Sequence, residues 1–554
     1  MIAHMQATPA VSRHPGRGHQ RFLIGVLRAV LVTMSMLALS SAAWGSSDSL
    51  GPQNQRLPSL EQTAQKVTRN LTARGYEVTQ GYPMLWTQED CDRYTFPIMQ
   101  NCYGNDPDSP YVILVVKSWP EEFVDPAMVN MLGKTRRGYS ATYRLDPREA
   151  IVVLAELPPP GRYVGLQSWV FTKEWLTEDE PWDTSAFAYQ AVQTLAPELA
   201  DYLFGTVPGN SSRTGSFSSL GNNINNVVIE RQSRAAFGQT RYFIITPDRA
   251  MDRTVRRSLG LVGVPSEDVF TDPIPPRDEV GEIGPLGLDA KANDFTSWIR
   301  YKHPDNEHAA HAWWANLPLT VLRVRERPSS DRPAEPFPPF VADERTAAPE
   351  GVYADDLHNL VRQVCQRWGQ PCDPGNPDPD QLRRVVDLQL ELDDFGPQCR
   401  AIGMNCLGDN RDASYFIAPH LALDPGWVYA VVGTLATATG NATYVGLSVN
   451  DLSKLKGVLS VSDTELAGSA GLYAGTVGNT DKFFVHYLTR DCRAIEGLTD
   501  GQCSTITEDM VPLLGEGKQG LFAAALRSYV RPGTARGPLS SEQLRPVVIR
   551  FPQP

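Results

Sequence analysis

Residues 102–111 read CYGNDPDSPY, and residues 406–415 read CLGDNRDASY. Both stretches place a glycine two residues after a cysteine, then acids, then a tyrosine at the same spacing. The likeness continues outward in chain order. Tyr111 is followed by Leu145-Asp146-Pro147 and Tyr163-Val164-Gly165-Leu166; Tyr415 is followed by Leu423-Asp424-Pro425 and Tyr444-Val445-Gly446-Leu447. Further on, TRYFIITPDR (240–249) answers DKFFVHYLTRD (481–491), WIRYKHP (298–304) answers ALRSYVRP (525–532), and LTVLRVRERP (319–328) answers RPVVIRFPQP (545–554). Anchors kept in one order read as an internal duplication, so one module is written twice.

The module is rich in strand. YVILVVKSW (111–119), AIVVLAEL (150–157), YVGLQSWVF (163–171) and RYFIITP (241–247) are β-branched and aromatic runs of strand length; WVYAVVGTL (427–435), TYVGLSV (443–449) and KFFVHYL (482–488) answer them. Their spacing is that of an antiparallel sandwich rather than of βαβ units. Helices are fewer. Ser59 is placed to cap one that ends at Gly75. Residues 353–369, 380–392, 186–205 and 250–260 also carry helical patterns. The expected fold is mainly β with peripheral helices (α+β), in two duplicated β-sandwich-like modules.

Composition sets the boundaries. Residues 326–351 carry six prolines and read as a stiff extended spacer. The first module then spans 46–325 and the second 352–554. Residues 1–45 form a signal peptide: Arg13, Arg17 and Arg21 precede the apolar run FLIGVLRAVLVTMSMLALSSAAWG, with cleavage near Ala43 or Gly45. Arg28 interrupts that run, which disfavours a membrane-spanning helix. No second run reaches spanning length, so no transmembrane segment is expected after signal removal. The chain is expected to be periplasmic or secreted. Eight cysteines agree with that compartment and fall into four local couples, Cys91 with Cys102, Cys365 with Cys372, Cys399 with Cys406, and Cys492 with Cys503. Neighbour pairing is the simplest connectivity. A net charge of −12 over 554 residues leaves no basic surface for a phosphate backbone, and no nucleic-acid partner is expected.

The order Asn-x-Asp-x-x-Tyr, Leu-Asp, apolar strand, Arg-Tyr and later Arg-x-x-x-x-Pro resembles a group of bacterial envelope and secreted proteins built from two adjoining domains of unknown function. Asn410, Asp412 and Tyr415 match its first motif, as do Asp106, Asp108 and Tyr111 with Asp for Asn. Arg162, Tyr163 and Gln167 match the strand motif in the first copy, where the second has Thr443 and Tyr444. The resemblance implies a β-sandwich and no particular reaction.

The repeated loop is the foremost candidate site. Asp106 and Asp108, or Asp409, Asn410 and Asp412, could bind a ligand, act as a base, or simply form a disulfide-pinned turn. The Ca²⁺ version lacks the regular acid spacing and the distant Glu. Arg300 and Arg527 hold matching positions and could pair with Asp108 or Asp412, or grip an anion. HPDNEHAAHAWW (303–314) could hold a metal, but it is not H-E-x-x-H and reads better as a polar turn. No metal and no cofactor is called. GKT (133–135) lacks the leading glycine, for Met128 stands there, and no G-x-G-x-x-G or G-x-S-x-G occurs. Trp169 and Trp298 belong to a tryptophan-rich first module, serving either as core or as stacking surface.

The functional expectation is an exported two-module protein that binds a small-molecule or glycan ligand, through Tyr111, Gln167, Trp169, Arg300, Asp412 and Tyr415, in a pocket of the first module. The rival is a metal-independent hydrolase or lyase using Asp108 as base, Arg162 or Arg300 to stabilise charge, and His303 or His308 as acid. A structural or assembly protein is the third reading. An enzyme requires Asp108, Arg162 and a histidine to converge on one concave pocket.

Overall fold

The computed structural model describes residues 59–174, 203–327, 332–370, 372, 385–387, 390–391, 393–498, 501–513 and 520–553. The signal-peptide reading, Trp175, Trp182 and nearly all of the 186–205 helix reading lie outside these residues. Pro58–Pro554 form one compact unit.

Ten strands in the first half have ten counterparts in the second. They are β1 (Tyr76–Gln80), β2 (Tyr82–Trp86), β3 (Tyr111–Lys117), β4 (Glu149–Glu156), β5 (Gly161–Glu174), β6 (Asn210–Ser219), β7 (Thr240–Thr246), β8 (Val269–Pro273), β9 (Asp294–Pro304) and β10 (Leu319–Glu326). The second set is β11 (Val385–Asp387), β12 (Leu390–Glu391), β13 (Ala413–Ala422), β14 (Trp427–Thr434), β15 (Tyr444–Asp451), β16 (Lys456–Ser462), β17 (Phe483–Thr489), β18 (Cys503–Thr505), β19 (Leu521–Tyr529) and β20 (Val547–Pro552). Each half builds an outer sheet, ordered β1-β10-β4-β7-β8 and β11-β20-β14-β17-β18. Each also builds an inner sheet, containing β2-β3-β9-β5-β6 and β12-β13-β19-β15-β16. Among the described residues, only the last pair of each outer sheet is parallel. The duplication therefore extends to strand order and direction.

Burial explains the continuous apolar runs. In β3, Val112, Leu114 and Val116 enter the core between the two sheets. Tyr111, Ile113 and Val115 enter a different core on the opposite face. Strand periodicity divides one run between two interiors, and both are apolar. In β4, Ile151 and Val153 face the inter-sheet core. Ala150, Val152 and Leu154 instead meet α1 (Leu60–Ala73) and α2 (Arg249–Gly260). Ser59 closes a capping box with Gln62 at the start of α1. Helix α3 (Glu307–Asn316) connects β9 to β10, and α4 (Ala354–Arg367) covers the second outer sheet. The 380–392 helix reading is corrected: its described residues form the edge strands β11 and β12, paired to β20 and β13.

The recurring Tyr-Val-Gly has a steric cause. The Tyr163 ring folds over Gly165 so closely that an added Cβ would stand 2.5 Å from the hydroxyl, and Tyr444 over Gly446 gives 2.4 Å. Only glycine fits beneath either ring.

All four neighbour couples are disulfides, with Cα separations of 5.7, 5.9, 5.7 and 5.9 Å. Two of them, Cys91–Cys102 and Cys399–Cys406, anchor the repeated loops. The described part of the proline-rich stretch, expected as a stiff extended spacer, is bonded to its surroundings. Glu335 O accepts from the Arg249 amide at 2.8 Å, and the Arg345 guanidinium donates to the Arg411 and Ala413 carbonyls, each at 3.0 Å. It is thus fastened to both halves.

Candidate functional site

The inner sheets turn one face towards each other, and the repeated loops cross that junction reciprocally. The Cys102 and Gly104 amides donate to the Lys454 and Leu455 carbonyls at 2.7 and 2.6 Å. In return the Cys406 and Gly408 amides donate to Ser216 O and Phe217 O at 2.7 and 2.9 Å. The second loop thus runs along β6 of the first half, while the first loop meets the turn between β15 and β16 of the second. The contact demands unusual backbone in matched pairs: φ is 59° at Tyr103 and 55° at Leu407, and 40° at Phe217 and 45° at Leu455. Bulky residues in this region cost about 1–3 kcal/mol each and persist only where the surroundings impose them.

Arg300 and Arg527 complete the exchange. Register fixes their equivalence, because Arg300 lies between Tyr111 and Gly165 while Arg527 lies between Tyr415 and Gly446. Arg300 Nη2 donates to Gly408 O at 2.8 Å, and Arg527 Nη2 donates to Gly104 O at 2.9 Å. Each guanidinium thus holds the other half's loop.

Between the sheets lies a cavity of about 590 Å³. One wall carries rings: Trp86, Tyr111, Phe217 and Trp298. The second half contributes the small or aliphatic Ile417, Leu452, Ala523 and Ala525 together with the rings of Phe395, Tyr415 and Tyr529. The asymmetry creates the space, for Ala525 occupies in β19 the register position that Trp298 holds in β9. Arg300, Arg527 and Tyr415 also line it, so both halves build the cavity, not the first alone. Rings pack against one another behind it; Phe217 and Trp298 have centroids 4.9 Å apart.

The charges are distributed unevenly. Asp106, buried at the cavity edge, contacts Lys302 Nζ at 2.5 Å and Arg527 Nη1 at 3.5 Å. Burial alone would raise its carboxyl, but these two cations outweigh burial and hold it below the usual range. Asp409 accepts from the Ser219 amide and hydroxyl at 2.7 and 2.6 Å, yet burial still pushes it up. Asp394 is held by Arg345 and Arg536. Arg300 differs. It is 9% exposed and has no carboxylate partner among the described residues, and its Nε has no acceptor. Its guanidinium sits 4.9 Å from the Trp169 ring centroid and 5.7 Å from that of Tyr111.

The candidates read from sequence separate into three groups. Tyr111, Arg300 and Tyr415 line the cavity. Trp169 backs Arg300 and donates from its indole to Asp409 O at 2.9 Å, so it is buried packing behind the cavity and does not line it. Gln167 is buried with neither amide atom paired, and it does not line the cavity either. Asp412 lies beneath the junction, where the Tyr163 hydroxyl and Asn225 donate to it at 2.9 and 2.8 Å; burial pushes it up to about 6. Asp108, Arg162 and His303 lie elsewhere. Asp108 and Arg162 are exposed, and His303, half-buried at 4.5 Å from the Tyr444 ring, is lowered to about 4 by burial with Lys302 adding to it. None of the three lines the cavity. The expected pairs of Arg300 and Arg527 with Asp108 or Asp412 do not form either; Arg527 meets Asp106, and Arg300 meets a backbone carbonyl.

Lys302, Phe217 and Trp86 belong to the junction and were not singled out by sequence. Lys302 precedes His303 in an unremarkable polar run, and nothing local marks it as buried. His308 and His311 lie on α3, where the His311 side chain is 75% exposed. Among the described residues, no group of three or more His, Cys, Asp or Glu could hold a metal ion.

No family model matches the chain, and no curated protein does. Among solved structures, a crystal structure of an uncharacterised protein from Burkholderia cenocepacia is similar at a TM-score of 0.32 and 7% identity, over 92% of this chain and 91% of that one. A likeness of that strength carries no functional argument.

Proposed function

We propose that this is an exported protein that binds a small organic molecule in the cavity between its two halves. The observation that carries the reading is the cavity of about 590 Å³ lined mainly by aromatic and aliphatic side chains from both halves. That volume and that lining are typical of sites for small apolar ligands, in which a few polar groups set orientation. A glycan fits less well, since its many hydroxyls would meet few hydrogen-bonding partners on these walls. Export is supported by the signal-like first 45 residues and by four disulfides. Among the described residues no helix is long and apolar enough to cross a membrane. The two-domain envelope family that the motifs resemble fits the same compartment.

Titration of the mature protein with the neutral fluorophore N-phenylnaphthylamine tests the reading. Saturable binding at one site is expected, with quenching of tryptophan emission because Trp86 and Trp298 face the cavity. Ala525→Trp, which rebuilds in the second half the ring that Trp298 supplies in the first, should abolish that binding while the protein remains folded. Equal binding by the native protein and a folded Ala525→Trp variant would place the fluorophore elsewhere and end the proposal.

A further inference from the structure

We infer that the ligand is an anion: an organic acid whose carboxylate is gripped by Arg300 and Arg527 and whose apolar body fills the ring-walled space. This rests on the cavity being a binding site and adds the chemistry of what enters.

The charge distribution around the cavity leads to it. Three carboxylates line the space, and each is satisfied from behind: Asp106 by Lys302, Asp394 by Arg345 and Arg536, Asp409 by Ser219 with Arg411 nearby. Two guanidiniums line it as well, and these are less fully matched. Arg527 shares Asp106 with the closer Lys302, and its Nη1 makes no hydrogen bond. Arg300 has no carboxylate among the described residues, and its buried Nε has no acceptor. Removing a guanidinium from water without a counter-ion is strongly unfavourable. Arg300 bears that cost and Arg527, its equivalent by register, shares one carboxylate with a lysine, so the cavity has a place prepared for a negative charge.

The two groups are also held in position. Each gives one terminal nitrogen to the opposite loop's glycine carbonyl, at 2.8 Å from Arg300 and 2.9 Å from Arg527. The Arg300 plane rests near Trp169 and Tyr111 as well. A guanidinium has five N–H donors, so each keeps others beyond that bond, and both residues line the cavity. A carboxylate has two oxygens for two such donors, and charge-assisted bonds of this kind are shorter and stronger than neutral ones. Asp106 is shared by Lys302 and Arg527, so it cannot cancel both, and positive charge is left over beside the cavity.

The test uses the mature protein with its disulfides intact. Calorimetric titration with dodecanoate, dodecanol and dodecyltrimethylammonium, each below its micellar concentration, compares head groups on one chain. Dodecanoate is expected to bind at least about tenfold tighter than the alcohol, a difference of about 1.4 kcal/mol, with the cation weakest. Arg300→Met, of similar length and no charge, should bring acid and alcohol to equal affinity while N-phenylnaphthylamine still binds. Arg527→Met should do the same to a lesser degree, which guards against misfolding of the first variant. Equal affinity of acid and alcohol in the native protein overturns the inference and leaves the cavity reading standing. Unchanged acid preference in both folded variants overturns it too. Binding of none of the four probes overturns both.

Discussion

Asp272 offers a measurement of how much one polar group costs inside the first module. It lies on β8 and is 2% exposed. It accepts from the Ser168 hydroxyl at 2.6 Å; Ser168 contacts the Ser297 hydroxyl at 2.6 Å, which contacts that of Tyr143 at 2.6 Å. Burial, only partly offset by Ser168, raises its carboxyl from 3.8 to about 7. At 1.36 kcal/mol for each pH unit, that displacement corresponds to about 4 kcal/mol of stability. The sign follows from which state holds the proton more tightly. The folded protein does, so the contribution is fully present below pH 3.8, declines as pH rises, and is gone once pH passes about 7. Asp272→Asn keeps an acceptor for Ser168 and cannot ionise. Urea unfolding of both proteins at intervals from pH 4 to pH 8 should show the variant gaining on the native protein by about 4 kcal/mol across that range. His303 and His486, both lowered to about 4 by burial, tilt the stability of both proteins in the opposite sense and cancel in the comparison. A native–variant difference that stays constant with pH would falsify the assignment of Asp272 as a buried, largely protonated acid.

Two other perturbations probe the junction. Tyr163→Phe removes a donor from buried Asp412 and the acceptor of Asn223 at 3.1 Å; a loss of about 1–3 kcal/mol is expected in urea unfolding, and an unchanged midpoint would show that the hydroxyl has a substitute. Replacing both Cys399 and Cys406 by alanine opens a closure of 7 residues and should cost about 2 kcal/mol, with weaker binding of N-phenylnaphthylamine because Leu407 and Gly408 lose their anchor beside the cavity. Undiminished binding in that folded variant would mean that the Ser216 and Phe217 carbonyls suffice to hold the loop.

Much of this architecture can be read from the chain because the duplication supplies a second copy against which to check the first. Strands such as 150–157 and 427–435 are unmistakable, and the disulfide couples follow from local spacing. Arg300 was legible through its match to Arg527. Other features were not. Asp106 and Asp108 stand two residues apart in a turn-forming run, and nothing local says that the first turns inward to Lys302 while the second stays in solvent. Arg162 carries a family-like motif yet points outward. The cavity itself is invisible in sequence, because Ala523 and Ala525 give no sign of what lies opposite. Residues 385–387 and 390–391 read as helix but pair at sheet edges, where partner strands decide conformation over local preference. The chain Tyr143–Ser297–Ser168–Asp272 was hidden for a related reason. Its second-half positions hold Val449 and Ala524, paired as Ser168 and Ser297 are, so the copies agree in register and disagree in polarity.

The reciprocal handclasp of the two loops is the contact a two-fold homodimer would make, carried here on one polypeptide. In a true dimer every substitution appears on both sides of the axis at once. A tryptophan at the Trp298 position would then face its own copy, and the gap would be filled by two indoles. Joining both protomers in one chain lifts that constraint, so one side can keep its large rings while the other shrinks to alanine. The hollow is thus a form of broken symmetry, open only to a molecule whose halves are free to diverge.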